Sequence, residues 1–307
     1  MTTLLKGPFF SRVLRHVEHR QHMVKLLAAL STYTEPPNPH RRCPLANIDD
    51  TLSEDGYGPA QLKKGESCWG FALYRCAYAD MYNSNWKRML DLINAKVLQG
   101  LEAEERMDLL PSHQLSIIED PTKLDGATSH QVREHFILWA QNELTRVLKD
   151  PSKRTCRMHG PNGIEHCPLE SFMGTRYNFC LFVDEICLES LDETPSRPVV
   201  KILIRDWEKL APEDYHSNIY SLCADHGYED GITNDPDEDV GWMYLEVFDY
   251  VEWFNRFVEP WNWVDWYSRP PCLADYASLP GLNVILPGGW RKKKGSDGLR
   301  RWLQCHS

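Results

Sequence analysis

Two carboxylates three residues apart, Asp249 and Glu252, are the side chains best spaced for chemistry. On a helix that spacing puts both on one face. Trp242, Trp253, Trp261, Trp263 and Trp266 stand close by in sequence. In an aromatic, low-dielectric cleft two carboxylates repel, one pKa rises, and the raised acid suits removal of a proton from an ammonium group. The same pair would grip a guanidinium through two parallel hydrogen bonds. The plain alternative is that both cap and solvate the start of a helix. Asp249 and Glu252 are thus the candidate catalytic residues, with Trp242 and Trp253 as substrate-binding rings. Asp184 and Glu185 form a second acidic pair at the end of the apolar run Phe179-Cys180-Leu181-Phe182-Val183. A charge there needs a partner or faces solvent. Arg205, on the expected neighbouring strand, is the natural partner, which would make the pair structural; Asp184, Glu185 and Arg205 otherwise belong with the substrate-binding set.

Other clusters carry weaker signals. Cys156, His159, His166 and Cys167 offer four zinc-type donors in one loop, although adjacent His166 and Cys167 fit one tetrahedron awkwardly. A loop with surface His and half-buried Cys explains them equally, and no metal is assigned. His16, His19 and His22 recur at three-residue spacing, which drifts around a helix. The stretch Trp290, Arg291, Lys292, Lys293, Lys294, Arg300, Arg301 and Trp302 interleaves cations with indoles. Cations suit phosphates and indoles suit unpaired bases, so Arg291, Lys292, Lys293, Lys294, Arg300 and Arg301 are candidate nucleic-acid contacts. The chain lacks G-x-G-x-x-G, G-x-x-x-x-G-K-[ST], G-x-S-x-G and H-E-x-x-H, so the common nucleotide-binding, serine-hydrolase and zinc-protease readings lose support. No cofactor is implied.

The whole chain has 307 residues and a net charge of −10, which argues against a general DNA-binding protein. The charge is uneven. Nine acids and no Lys or Arg fall between Glu213 and Asp239, whereas six cations fall between Arg291 and Arg301. A solvated acidic loop and a basic tail explain this on charge alone. No apolar run approaches the ~20 residues of a membrane helix. Ten Cys are scattered, several within apolar runs, and no secretory-type apolar core precedes them. Free thiols in a reducing compartment, hence a cytoplasmic location, are expected. Residues 1–34 hold Arg and His with no acid before Glu18, as a mitochondrial presequence would, but Glu18 and the apolar end fit one poorly.

These side chains need elements to hold them. Apolar spacing predicts helices over 10–32, 85–99, 129–149 and 248–258, with Ser129 capping the third. Cys68–Tyr78 reads as a buried strand, and further strands are expected at Tyr177–Ile186, Val199–Arg205 and Trp242–Val247. A Gly- and Pro-containing loop is expected over His159–Pro168. Strands that follow one another without helices imply antiparallel pairing. The expected fold class is therefore α+β, a mostly antiparallel sheet with helices on one face, of which a ferredoxin-like variant is the nearest named arrangement. Three parts follow: an N-terminal helix and Pro-rich linker over 1–66, a single domain over 67–285 with an acidic insertion at 211–239, and a basic tail over 286–307.

The segments Gly70-Phe71-Ala72-Leu73-Tyr74-Arg75-Cys76-Ala77-Tyr78 with Trp86, Val132–Trp139, Phe179–Glu185, Val240-Gly241-Trp242-Met243 and Arg269-Pro270-Pro271 resemble a large group of uncharacterised ascomycete proteins, over about residues 68–271. Among such fungal proteins the chain is also similar to the arginine-containing cyclodipeptide synthases, which carry a D-D-x-x-E motif and build cyclic arginine dipeptides from aminoacyl-tRNAs. Here Phe248-Asp249-Tyr250-Val251-Glu252 has Phe in place of the first Asp, and Asp49-Asp50-Thr51-Leu52-Ser53-Glu54 has its Glu one residue late. The resemblance implies an aminoacyltransferase of fungal specialised metabolism, with Asp249 and Glu252 in its acidic motif and aminoacyl-tRNA and a small molecule as partners, but neither DNA nor a membrane. Two alternatives stay open. One is a non-catalytic interaction module that presents a Trp-rich surface. The other is a small-molecule cyclase, with a Trp-lined cavity and magnesium on Asp49, Asp50 and Glu54.

Overall fold

The structure, a computed structural model, describes residues 45–53, 59–152, 155–160, 163–207, 239–258, 262–273 and 287–292. In chain order they form α1 (Ala46–Leu52), β1 (Ala72–Arg75), α2 (Asn83–Ala103), β2 (Ser116–Ile118), α3 (Pro121–Leu124), α4 (Ser129–Val147), β3 (Thr155–Gly160), β4 (Gly163–Pro168), α5 (Thr175–Asn178), β5 (Phe179–Val183), α6 (Glu185–Glu193), β6 (Val199–Ile204), β7 (Trp242–Glu246), α7 (Tyr250–Arg256), α8 (Asn262–Trp266) and α9 (Gly289–Lys292). The helix expected over 10–32, with His16, His19 and His22, lies outside the described residues. So do the acidic stretch up to residue 238, Trp261, and the tail beyond residue 292.

Five strands make one sheet in the order β2-β1-β5-β6-β7. β1 pairs in parallel with both β2 and β5, while β5–β6 and β6–β7 are antiparallel. The α+β class holds, but the sheet is mixed rather than mostly antiparallel, and the ferredoxin-like arrangement is not met. The cause is topological. The chain leaves β1, runs through α2 and returns as β2, and after α4 and the β3–β4 hairpin it comes back to β1's other side as β5. Parallel neighbours need such long crossovers. The hairpin β3–β4 replaces the loop expected over 159–168.

Helices cover both faces, not one. Side chains alternate along a strand. On β1, Arg75 lies over the Trp86 ring of α2, whereas Tyr74 meets His135 and Phe136 of α4 edge-on. Helix α2 buries Trp86, Met89, Ile93, Val97 and Leu101, a stripe at helical spacing. Full burial of such side chains contributes about 1.5–3 kcal/mol each. Helix α4 buries Val132, Phe136, Ala140, Leu144 and Val147. Its cap is Thr128, one residue before the Ser129 expected from sequence, in a reciprocal capping box with Gln131. The body extends beyond 67–285 at both ends, since Ile48 of α1 and Trp290 of α9 are buried.

Arg133 ties α4 to the antiparallel half. Its Nε donates to the Ile204 carbonyl at 3.0 Å and Nη2 to the Gly241 carbonyl at 2.9 Å. The guanidinium stacks on Trp207, 4.7 Å from the ring centroid. The Trp207 indole donates in turn to the Asp239 carbonyl at 2.9 Å. Gly241 sits there with φ +75°, and a methyl on it would run into both Arg133 and Trp207. Gly241→Ala is expected to cost about 2–3 kcal/mol in chemical denaturation, from strain plus overpacking. Gly65 has φ +81° with no neighbour within 4 Å of the added methyl. Gly65→Ala should therefore cost only about 1 kcal/mol.

Candidate functional site

In open sheets with parallel strands, ligands bind outside the carboxyl ends of the strands, where the connections diverge to either side. Here the chain runs from β1 toward β2 and from β5 toward β6, and the helices that follow the two strands, α2 and α6, pack together on one face of the sheet. The strand register builds a floor at the carboxyl ends of β1 and β5. Tyr74 pairs with Phe182, Phe182 with Lys201, and Lys201 with Tyr244, so the four side chains form one row across four strands. Trp242 lies beside this row on the same face, its ring 5.3 Å from Tyr244 and 6.2 Å from Phe182.

Lys201 is the cation in this row. Its Nζ is 4.3 Å from the Trp242 ring centroid, 5.2 Å from Phe182 and 5.4 Å from Tyr244. It also reaches Asp184 Oδ2 at 2.7 Å. Three ring faces and a carboxylate both favour an ammonium. Asp184 Oδ1 meanwhile accepts the Cys187 amide at 3.0 Å and so caps α6. Burial opposes the Asp184 charge, but Lys201 and the Cys187 amide hold its carboxyl below the usual range. The Asp184 side chain remains 23% exposed and is the one part of this arrangement that reaches solvent appreciably, while the rings and Lys201 are buried. Burial, with a smaller push from Asp184, moves the Cys76 thiol at the end of β1 up to about 12. That thiol stays protonated at neutral pH and is a poor nucleophile. At the far end His135 Nδ1 approaches the Tyr74 hydroxyl at 3.5 Å.

This geometry reassigns most of the residues singled out from sequence. Asp184 and Trp242 do come together, around a lysine that sequence reading passed over. Arg205 is not the partner of Asp184 or Glu185. It is buried, bonded to Asp206, the Tyr177 carbonyl at 3.0 Å and Ser171 Oγ at 2.9 Å. Glu185 pairs with Arg291 at 3.0 Å instead. Asp249 and Glu252 are both exposed, and the expected wall of Trp is not around them. Trp242 is on the opposite face of the sheet from α7. Trp253 turns inward onto Phe257 and Trp266. Glu252 pairs with Arg256, whose guanidinium lies 4.9 Å from the Trp253 ring and 4.1 Å from the Trp266 ring. Among the described residues Trp242, Trp253, Trp263 and Trp290 are buried and Trp266 is half-buried. Asp49, the cyclase's proposed magnesium ligand, is held by Arg106, with Oδ2 at 2.9 Å from Nη1.

Arg291 starts the basic run, but it is engaged internally. Lys292 ends α9, and Lys293, Lys294, Arg300 and Arg301 lie outside the described residues. In the hairpin, Cys156 faces Cys167 and Arg157 faces His166. The side chains of Cys156, His159, His166 and Cys167 lie outside what the structure describes. Among the described residues no His, Cys, Asp and Glu group is arranged to hold a metal ion. Nor is any helix among them long and apolar enough to cross a membrane.

A second polar cluster lies at the opposite end of the parallel strands. Arg176 is fully buried. Its Nη1 donates to the carbonyls of Gly70 and Gln114, both at 2.7 Å, and Nη2 to Ser116 Oγ at 2.7 Å. Its Nε has no hydrogen-bond partner among the described residues. Nearby, the Tyr250 hydroxyl accepts the Phe71 amide at 3.1 Å and lies 3.2 Å from His113 Nε2. Which of Tyr250 and His113 donates depends on the tautomer of the imidazole. Burial, aided by the Arg176 charge, pushes His113 down to about 4.

The chain matches no protein-family model, and no curated protein or solved structure shows significant similarity to it. Function is therefore read from the site.

Two outcomes are expected. Asp184→Asn keeps a good helix cap but removes the charge beside Lys201, and should cost about 1–3 kcal/mol in denaturant titration. His113 binds its proton more weakly folded than unfolded, so the stability it contributes is complete above the ordinary value of 6.5 and is lost as pH falls toward about 4. The full loss is about 3 kcal/mol by linkage. Denaturation midpoints across that range should flatten in His113→Gln.

Proposed function

We propose that the chain is an acyl-transfer enzyme whose substrate rests on the Tyr74–Phe182–Lys201–Tyr244 floor, and that its acyl donor is an aminoacyl-tRNA. The observation that carries this reading is the ammonium of Lys201, fixed on three ring faces and by Asp184 at the carboxyl end of β1 and β5. When an amine attacks an ester, negative charge grows on the carbonyl oxygen, and a preorganised cation in an apolar enclosure is well suited to stabilise it; the C–O bond to the tRNA then breaks, and the departing hydroxyl takes up the proton that the amine gives up. The ester of an aminoacyl-tRNA is already activated, so positioning supplies much of the remaining acceleration. Asp184 is held ionised and orients Lys201 rather than taking the amine's proton. The rings offer faces to an apolar or cationic side chain. The similarity to arginine-containing cyclodipeptide synthases favours a cyclic arginine dipeptide as product, and the cations from Lys292 to Arg301 favour a tRNA acceptor end as partner.

The test is mass spectrometry of extracts from bacteria that express the chain, against an empty vector. A new arginine-containing metabolite is expected. Lys201→Met should lower its yield on the order of 10²-fold, while Asp249→Asn and Glu252→Gln leave it near the parent level. An undiminished product from folded Lys201→Met would remove the floor from the mechanism.

A further inference from the structure

Residues 287–292 carry α9, whose four residues are too few to hold helical shape alone. Among the described residues, their attachment converges on one carboxylate. Glu189 of α6 accepts the Trp290 indole at 2.7 Å, Arg291 Nε at 2.8 Å, Arg291 Nη2 at 2.7 Å and the Tyr82 hydroxyl at 3.2 Å. Arg291 Nη2 also reaches Glu185, one helical turn earlier, at 3.0 Å. Apolar packing adds little beyond the buried Trp290 ring and the approach of Gly288 to Ile186. Four hydrogen bonds, three of them from this segment, thus depend on a single side chain.

We propose that residues 287–292 form a releasable strap clasped onto α6 by Glu189. The strap's anchors follow Asp184 directly in sequence, at the partly exposed end of the ring floor. While it is clasped, Arg291 offsets one of the two charges on Glu185 and Glu189. Once it is released, two carboxylates one turn apart stand uncompensated beside Asp184. The strap thereby changes the charge at this end of the floor by one unit: more acidic, and more attractive to a cationic group, when open. Only this consequence rests on the floor being the substrate site; the clasp itself is tested without any product assay.

The test is limited trypsin digestion of the full chain, with intact-mass detection of cleavage at the Arg291–Lys292 bond. Exchange of backbone amide hydrogens over 287–292 gives an independent readout. Glu189→Gln removes the clasp's charge, and Arg291→Lys breaks its forked contact while keeping a bond that trypsin cuts. Both variants should cleave there about tenfold faster or more than the parent, with faster exchange confined to 287–292. Cleavage after the exposed Lys123 should not change. Parent rates in both variants would overturn the clasp. If Glu189→Gln speeds cleavage after Lys123 as well, Arg291→Lys decides, because Arg291 lies at the surface and its replacement leaves the core intact.

Discussion

Arg176 carries a full charge with none of its side chain exposed, and the carbonyls it holds belong to Gly70 and Gln114, just before β1 and β2. Burying a charge is costly unless hydrogen bonds replace the lost water. Here they do so at the place where the parallel ladder begins. Arg176 also belongs to α5, which feeds directly into β5. One side chain therefore indexes three parallel strands at their amino ends. The opposite ends inherit that alignment, because a slip of one residue would turn every side chain to the other face. The row of Tyr74, Phe182, Lys201 and Tyr244 exists only in this register. Stability is concentrated at one end of the strands, and the candidate chemistry at the other.

Much of the fold was legible in the sequence. Helices α2 and α4 have long apolar stripes with clear stops, and β5, β6 and β7 are continuous apolar runs. What escaped is short or ambiguous. Strand β2 is only Ser116-Ile117-Ile118, between a proline-containing turn and Pro121, and no periodicity can be read from three residues. Helix α6 begins within the apolar run that also forms β5, and Asp184 marks the change from one to the other. Without β2 the two crossovers are invisible, so the sheet looks antiparallel and its helices look one-sided. The site was legible in fragments. Asp184 stood out as an acid in an apolar run and Trp242 as part of an indole-rich stretch. Lys201 was missed although it is the sole charge in Val199-Val200-Lys201-Ile202-Leu203-Ile204, a signal as strong as that of Asp184. Cross-strand register, which joins them, is not written in either segment.

The indoles of the C-terminal third illustrate how one residue type can serve opposite ends. Trp242 presents a ring face to Lys201, and Trp253 with Trp266 presents two to Arg256. In both places an aromatic surface holds a cation beside an acid, Asp184 or Glu252. The first lies at the carboxyl ends of β1 and β5, beneath the partly exposed Asp184. The second braces α7 against α8 and is a structural brace. Spacing in sequence alone favoured the second pair, because Asp249 and Glu252 are neighbours on a helix, whereas Asp184 and Lys201 meet only through strand pairing.

The meeting of Trp207 with Asp239 has a consequence for how this protein can be watched. The two residues, 32 apart in the chain, are joined by an indole–carbonyl hydrogen bond, and Arg133 and Trp263 brace that junction, the latter through its indole bond to Asp239 Oδ2 at 2.9 Å. Two indoles thus converge on one residue, and both would enter a more aqueous setting if Asp239 came away. The junction therefore carries its own optical reporter, since indole emission follows the polarity around the ring.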